Sequence, residues 1–324
     1  MKINSFKAFV IENNDDLGKL KTINMDYLMK GDVLVEVKYS SFNYKDGLAI
    51  SGKIPIFKRY PMIPGVDLSG KVVESTHKSF KKNDFVILNG WGVGESHYGG
   101  FSEFARVSGD WLIHLPKKFS EKDAMIIGSA GYTAALCVLE IKKNIQPNNQ
   151  IILVSGASGG VGSIAVYILA KLGYEVHAIS GKDESFLKKL GAKKIIHRND
   201  FEISEKPLQK QKFSGAIDTV GGKILSTILS QTAYNGTVVC TGMAQSHKLV
   251  TTVFPFILRN ISLIGVDSVY TKYNTRIEAW NLLEKYVDSK LLQDIKSEKN
   301  LSDLIYLSKE IMNGNIKGRT VIKV

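Results

Sequence analysis

The residues with the clearest chemical purpose in this 324-residue chain are Ile151-Ile152-Leu153-Val154-Ser155-Gly156-Ala157-Ser158-Gly159-Gly160-Val161-Gly162. An apolar run of strand character enters glycines spaced so that the backbone can turn tightly, approach a pyrophosphate and let the next helix lie close to the strand. That helix, expected over residues 162–172, offers unbonded N–H groups and a positive dipole end to phosphate. The spacing is Ala157-x-Gly159-x-x-Gly162, with alanine for the usual first glycine, and a further strand over 175–179 supplies the context of a dinucleotide site. An NAD site places Asp or Glu about 20 residues after the glycines to bind the ribose diol. Here the second strand ends in Ser180-Gly181-Lys182, and Arg198 follows the third. A hydroxyl and two cations suit a 2′-phosphate better than a diol, so NADPH is the expected cofactor. Asp183 and Glu184 fit the start of the next helix.

A second constellation, Asn43, Tyr44 and Asp46, follows an alternating strand and reads as a loop. A phenol donates at neutral pH, so Tyr44 is a candidate proton source, directly or through water, and Asn43 and Asp46 are candidate partners. The plain alternative is a tyrosine that packs its own loop. Two cysteines, Cys137 and Cys240, and six histidines without ligand spacing build neither a disulfide framework nor a zinc site, so no metal is expected. Without a Lewis acid, hydride transfer to an isolated ketone is hard. An alkene conjugated to a carbonyl accepts hydride at its β-carbon, and the charge moves to an oxygen that hydrogen bonds can hold.

The elements that must position these groups fall into two regions. Up to about residue 120, β-branched runs alternate with Gly and Pro clusters, as over 33–39, where Val33, Val35, Val37 and Tyr39 share one face and Leu34, Glu36 and Lys38 the other. From Ser120, a helix cap, a long apolar helix runs through Leu139. Strands at 151–154, 175–179, 194–196, 216–218, 237–240 and 262–266 then alternate with helices, which implies a parallel sheet covered on both faces. A helical stretch and a last strand over 320–324 close the chain. With 44% hydrophobic and 23% charged residues, disordered and fibrous classes are excluded. The net charge of +12 attracts anions generally but is spread along the chain, with no basic repeat, so a nucleic-acid partner is not expected. The uncharged apolar stretch 151–170 is interrupted by glycines, which argues against a membrane span, and no signal peptide is visible near the first residues.

The sequence closely resembles the acryloyl-coenzyme A reductase family, a branch of the medium-chain dehydrogenases/reductases near the quinone oxidoreductases that uses no zinc. The matching segments run from Ser40-Ser41-Phe42-Asn43-Tyr44-Lys45-Asp46 through Pro61-Met62-Ile63-Pro64-Gly65-Val66-Asp67, Gly90-Trp91-Gly92-Val93-Gly94-Glu95 and the glycine loop to Thr252-Val253-Phe254-Pro255, Gly265-Val266-Asp267-Ser268 and Gly318-Arg319-Thr320. Where zinc enzymes of the superfamily carry Gly-His-Glu, this chain has Gly65-Val66-Asp67. The resemblance implies an α/β fold: a GroES-like β-rich catalytic domain, residues 1–122 with 267–324, and a Rossmann NADP-binding domain, 123–266. It implies cytoplasmic, NADPH-dependent reduction of acryloyl-CoA to propanoyl-CoA. Carried over by motif, the cofactor touches Tyr44, Ser158, Gly159, Gly160, Val161, Ser180, Gly181, Lys182, Arg198, Met243, Ile257, Ser268 and Arg319. Lys182 stands where arginine is usual, and Met243 where leucine is usual. Arg319 is a candidate for the phosphates of NADPH or coenzyme A. The glycines over 90–95 shape either a loop against the thioester arm or ordinary turns, and His97 is expected to be structural. The strand near 262–269 would form a sheet edge, and relatives use that edge to make homodimers. The rival activities are reduction of a quinone or an unsaturated ketone and, in another class, NADPH or nucleic-acid binding without turnover.

Overall fold

The computed structural model describes residues 4–181 and 184–324. The chain divides into two compact units: Met1–Ser129 with Ser268–Tyr270 and Leu292–Val324, and Ala130–Asp267 with Thr271–Leu291.

The first unit is built on a seven-stranded sheet. Its order is Lys296–Asn300, Arg319–Lys323, Val33–Phe42, Asp67–Ser75, Phe85–Asn89, Ile113–His114, with Phe104–Val107 also paired to Val33–Phe42. The period-2 pattern of the Val33–Phe42 strand decides what lies on each face. Val33, Val35 and Val37 join one apolar core with Leu68, Val86 and Leu112, whereas Leu34 and Phe42 join another with Phe6, Phe101 and Leu304. Register then sets the mouth of the sheet. Thr320 lies opposite Phe42, so Arg319 falls one step beyond the strand end, level with Asn43. Asp67 lies directly opposite Asn89.

Two local expectations are corrected here. Asn43, Tyr44 and Asp46 do not lie in a loop: a helix runs over Tyr44–Ile50, started by extended Asn43, whose N–H donates to Asp46 Oδ2 at 2.8 Å. The spacing of an Asn followed by an acid three residues on is a helix-start signal, obscured by the poor helix former Gly47. The helix starting at Ser120 has its cap, Asp123 N–H to Ser120 Oγ at 3.1 Å. It spans Glu121–Asn144 but breaks at Gly128, which takes φ 53° and ψ −164°. By length and hydropathy this helix could cross a membrane, yet 89% of its apolar window is buried inside the protein, as in a core helix.

The second unit holds a six-stranded parallel sheet in the order Lys194–His197, Glu175–Ser180, Ile151–Ser155, Phe213–Asp218, Thr232–Cys240, Ser262–Gly265. Numbered within the unit this is 3-2-1-4-5-6, the doubly wound order, which places ligands at the carboxyl ends of strands one and four, where the winding reverses. The first four residues of the Ile151–Ser155 strand are all apolar because both of its faces are covered: Ile152, Leu153 and Val154 are fully buried. The Gly160–Lys171 helix follows it.

The division differs from the expected one in that residues 271–291 go with the nucleotide sheet. Their Tyr273–Tyr286 helix buries Trp280 and Leu283, and the Arg276 guanidinium lies 4.8 Å from the centre of the Tyr132 ring. The strand Lys296–Asn300 has no counterpart in the sequence reading, because its residues, Lys-Ser-Glu-Lys-Asn, carry no apolar signal.

Candidate active site

In the first unit several of the candidate residues gather around one buried acid. Asp67 is fully buried, and its carboxylate accepts from five donors: the Ser41 hydroxyl, Asn43 Nδ2 at 2.9 Å, Asn89 Nδ2 at 2.6 Å, and both the N–H and the hydroxyl of Ser129, at 2.8 and 2.5 Å. The Gly128 break makes this possible. A Cβ there would lie 2.5 Å from Ser41 Oγ, 2.6 Å from Arg319 Nη2 and 3.0 Å from Asp67 Oδ2, so only glycine admits the approach, and only the broken helix turns the Ser129 N–H toward Asp67.

Arg319 lies beside this carboxylate, 3% exposed, with Nε donating to Ile126 O at 2.9 Å. Burial pushes its guanidinium down to about 10, against the support of Asp67 and then Asp46, so it remains a cation at neutral pH. Its Nη2 is buried without a hydrogen-bond partner among the described residues.

Asp46 caps the Tyr44 helix and also accepts the Val66 N–H at 3.2 Å. Burial raises its carboxyl from an ordinary 3.8 to about 7, with the two backbone N–H groups opposing and Asp67 adding to the rise. The folded protein therefore keeps a proton that the unfolded chain releases between pH 4 and 7. The stabilisation is present below about pH 4 and is lost as pH rises through about 7. Asp46→Asn, which stays neutral, should flatten that part of the stability–pH curve, measured by urea unfolding at half-unit steps. A slope unchanged from wild type would refute it.

Tyr44 opens the helix above Asp46 and is 39% exposed. Its neighbour Lys45 pairs with Glu95 at 2.6 Å, tying this helix to the glycine-rich segment after Asn89. His97 is buried, its ring nitrogens facing the carbonyls of Tyr98 and Lys30, which agrees with a structural part.

In the second unit the glycine turn is a cradle. Gly156 takes φ 60° directly after the first strand, and the Thr219 hydroxyl donates to Ser155 O at 2.9 Å across the switch point. Ser155 Oγ donates to Asp218 Oδ1 at 2.6 Å, and burial raises the Asp218 carboxyl against that bond and others. Gly159 caps the twelve-residue helix with no side-chain hydrogen bond, so the first N–H groups are not consumed by the protein. Beyond Gly159 a Cβ would meet only Gly156 O, at 3.2 Å. Ser180 Oγ donates to Ser158 Oγ at 2.9 Å, bracing the two loops. The Arg198 side chain lies over Gly181, its Nε 2.7 Å from where a Cβ would stand, and the Arg198 backbone N–H donates to Ser180 O at 3.0 Å. Arg198 is exposed and makes no ion pair among the described residues. A phosphate-sized anion matches this corner, and an uncapped helix start matches a pyrophosphate. The fit is to NADP.

Comparison with known proteins agrees with this geometry. Residues 29–117 match the model of the alcohol dehydrogenase GroES-like domain, and residues 160–285 that of the zinc-binding dehydrogenases. The chain is 46% identical over 323 residues, 98% of its length and 99% of the relative's, to the probable acrylyl-CoA reductase AcuI of Escherichia coli. This chain belongs to the acryloyl-coenzyme A reductase family of the medium-chain dehydrogenases/reductases. Another family relative, the putative quinone oxidoreductase YhfP of Bacillus subtilis, is 42% identical over 98% of this chain and 99% of its own. The yhdH oxidoreductase of Salmonella enterica, solved in complex with NADP, superposes with a TM-score of 0.96 at 46% identity over 98% and 99% of the two chains. The B. subtilis protein was solved with NAD bound, at a TM-score of 0.94 and 41% identity over 99% of this chain and all of the other. The family fold, a Rossmann sheet and a GroES-like β domain, is that of the two units described.

Set against the expected residues, Ser158, Gly159, Gly160, Val161, Ser180, Gly181 and Arg198 come together at one end of the nucleotide sheet, while Lys182 lies outside the described residues. Met243 is 52% exposed on the loop after the fifth strand, the ligand side of such a sheet. Ile257 is 68% exposed on the Phe254–Arg259 helix, and Ser268 lies in the first unit, its carbonyl against Gly90. Arg319 is corrected. Buried beside Asp67, it belongs to the acid cluster and presents no surface to a phosphate. Asn43 and Asp46, the candidate partners of Tyr44, hold the start of the Tyr44 helix, and Asn43 also binds Asp67. Ser41, Asp67, Asn89, Gly128 and Ser129 were missed as site residues. The available signal was four polar side chains at the ends of apolar strands and helices, where an unpartnered group would be costly.

Proposed function

We propose that this chain is a cytoplasmic, metal-independent reductase of the activated C=C bond of an enoyl-CoA thioester, acryloyl-CoA to propanoyl-CoA, with NADPH. What carries it is the exposed Arg198 guanidinium on Gly181 beside an uncapped helix start, in a chain so nearly collinear with a probable acrylyl-CoA reductase. NADPH, when bound, supplies the hydride that goes to the β-carbon. The N–H groups of Gly160 and Val161 would hold its pyrophosphate, and Arg198 with Ser180 and Lys182 would hold its 2′-phosphate. Met243 and Ser268 are further cofactor contacts. The first unit, residues 1–129 with 268–270 and 292–324, does the catalytic work, and the second binds nucleotide.

As charge moves onto the thioester oxygen, hydrogen-bond donors already held in place stabilise it without reorganising. Tyr44, rigid at the first turn of its helix, passes a proton to the α-carbon. No metal step enters, because Val66 offers no ligand and Asp67 spends both oxygens on protein donors.

The deciding experiment follows NADPH absorbance with acryloyl-CoA, crotonyl-CoA and a quinone side by side, with and without a chelator. Acryloyl-CoA should give by far the highest kcat/KM, insensitive to chelation. A quinone preference would move the assignment to the activity named for the B. subtilis relative, and chelator-sensitive turnover would end the metal-free mechanism. In the same assay Tyr44→Phe with unchanged turnover and cofactor affinity would remove Tyr44 from both of its parts.

The Ser262–Gly265 strand is the edge of the six-stranded sheet, and the helix before it exposes Ile257 and Leu258. Pairing of this edge with its own copy, giving a two-fold homodimer, follows the usual way of covering an open strand. A monomer mass independent of concentration would overturn it.

A further inference from the structure

Among the described residues, six that are not glycine take a positive φ; five of these are asparagines and the sixth is Trp91, at φ 57°. Asparagine tolerates this conformation, whereas a bulky aromatic there is strained, and such strain persists where the surroundings impose it, typically at ligand clamps. Gly90, Gly92 and Gly94 around it also have positive φ, at 77°, 74° and 76°. A fourth glycine would relieve the strain, so the indole must serve something other than the turn. It is not a core residue: Trp91 is only half-buried and lies outside both apolar clusters of its unit.

The surroundings hold this indole in place. The backbone N–H of Trp91 donates to Val269 O at 3.0 Å, and the indole ring meets the Tyr270 ring edge-to-face at 6.3 Å. A Cβ on Gly90 would lie 2.9 Å from Val269 O, and one on Gly92 would lie 3.3 Å from the Tyr270 hydroxyl, so the bare backbone is what lets this loop seat on 268–270. Tyr270 is 64% exposed. Three bonds fasten the loop to the catalytic frame. Gly90 N–H donates to Val66 O at 3.1 Å, Val66 N–H donates to Asp46 at 3.2 Å, and Glu95 pairs with Lys45. Trp91 lies two residues past Asn89 and Tyr44 one past Asn43, and both amides bind Asp67.

We propose that Trp91, backed by Tyr270, is the wall on which the acyl chain of the substrate ends, and that it limits the enzyme to short enoyl groups. This rests on the enoyl-thioester reading above. An apolar wall discriminates by bulk, and each excess methylene that must be accommodated lowers kcat/KM by roughly 10- to 200-fold.

Trp91→Gly removes the wall and the backbone strain together. It should raise the ratio of kcat/KM for trans-2-hexenoyl-CoA over acryloyl-CoA at least tenfold. Any smaller change in a variant that melts like wild type overturns the proposal. Should Trp91→Gly fail to fold, Tyr270→Ala withdraws the backing from the surface and must move the same ratio upward; an unmoved ratio refutes the wall equally. Calorimetry of hexanoyl-CoA and propanoyl-CoA binding to the NADP-loaded protein keeps this test separate from the activity. If wild type turns over no enoyl thioester yet Trp91→Gly gains at least tenfold in hexanoyl-CoA affinity relative to propanoyl-CoA, the enzyme reading fails and the wall stands. If neither thioester binds wild type, both fall.

Discussion

Asp67→Ala is expected to destabilise the first unit by about 3 to 5 kcal/mol, the range for removing one partner of a buried charged pair. Two losses act together. The five donors from Ser41, Asn43, Asn89 and Ser129 lose their acceptor in a fully buried place, and Arg319 loses the larger of the two charges that offset its burial. Water has little access to replace either. Hydrogen exchange of amides in the Val33–Phe42 and Arg319–Lys323 strands reports the unit directly and avoids treating both units as one transition. Arg319→Met should cost less, since Asp67 keeps all five donors. The double variant should then cost less than the sum, because the stranded guanidinium is gone. Additive losses would show that Asp67 and Arg319 do not act as a pair. Loss of protection confined to chain ends would show that the cluster is not structural at all.

Arg198→Ala should raise KM for NADPH roughly 10- to 100-fold while leaving KM for NADH within about twofold, the effect of removing one charge-assisted contact to phosphate. The guanidinium rests on Gly181 and has no carboxylate to satisfy it within the described chain, so its loss disturbs little else. Arg198→Glu should go further and favour NADH, because a carboxylate repels the 2′-phosphate and accepts from the ribose diol. The comparison is pointed within this family, where one solved relative holds NADP and another NAD. Equal losses with both cofactors would place Arg198 in folding or in pyrophosphate binding, and no loss with either would remove it from the site.

Much of the nucleotide unit was legible because its signals are local. A buried parallel strand is apolar almost throughout, as residues 151–154 show, and the glycine spacing is dictated by backbone sterics within a dozen residues. Strands and helices of the sheet were found in order, with ends displaced by a few residues. The Tyr44 helix was hidden by Gly47, and the strand Lys296–Asn300 by its polar composition, since its place is decided by backbone pairing with Arg319–Lys323. Trp91 was visible as a residue, but its φ is a property of the folded loop.

By itself, the sequence determined the alternation of strand and helix, the dinucleotide turn and the cation at the end of its third strand, because each follows from short-range geometry and side-chain chemistry. Only the tertiary structure decided that Asp67 would gather Ser41, Asn43, Asn89 and Ser129, that Gly128 would break a long apolar helix to let them meet, and that Arg319 would be buried there rather than offered to phosphate. The physical reason is register. Partners dozens or hundreds of residues apart are opposed only once strands pair, and the charge and exposure of a buried group depend on those partners rather than on its neighbours in the chain.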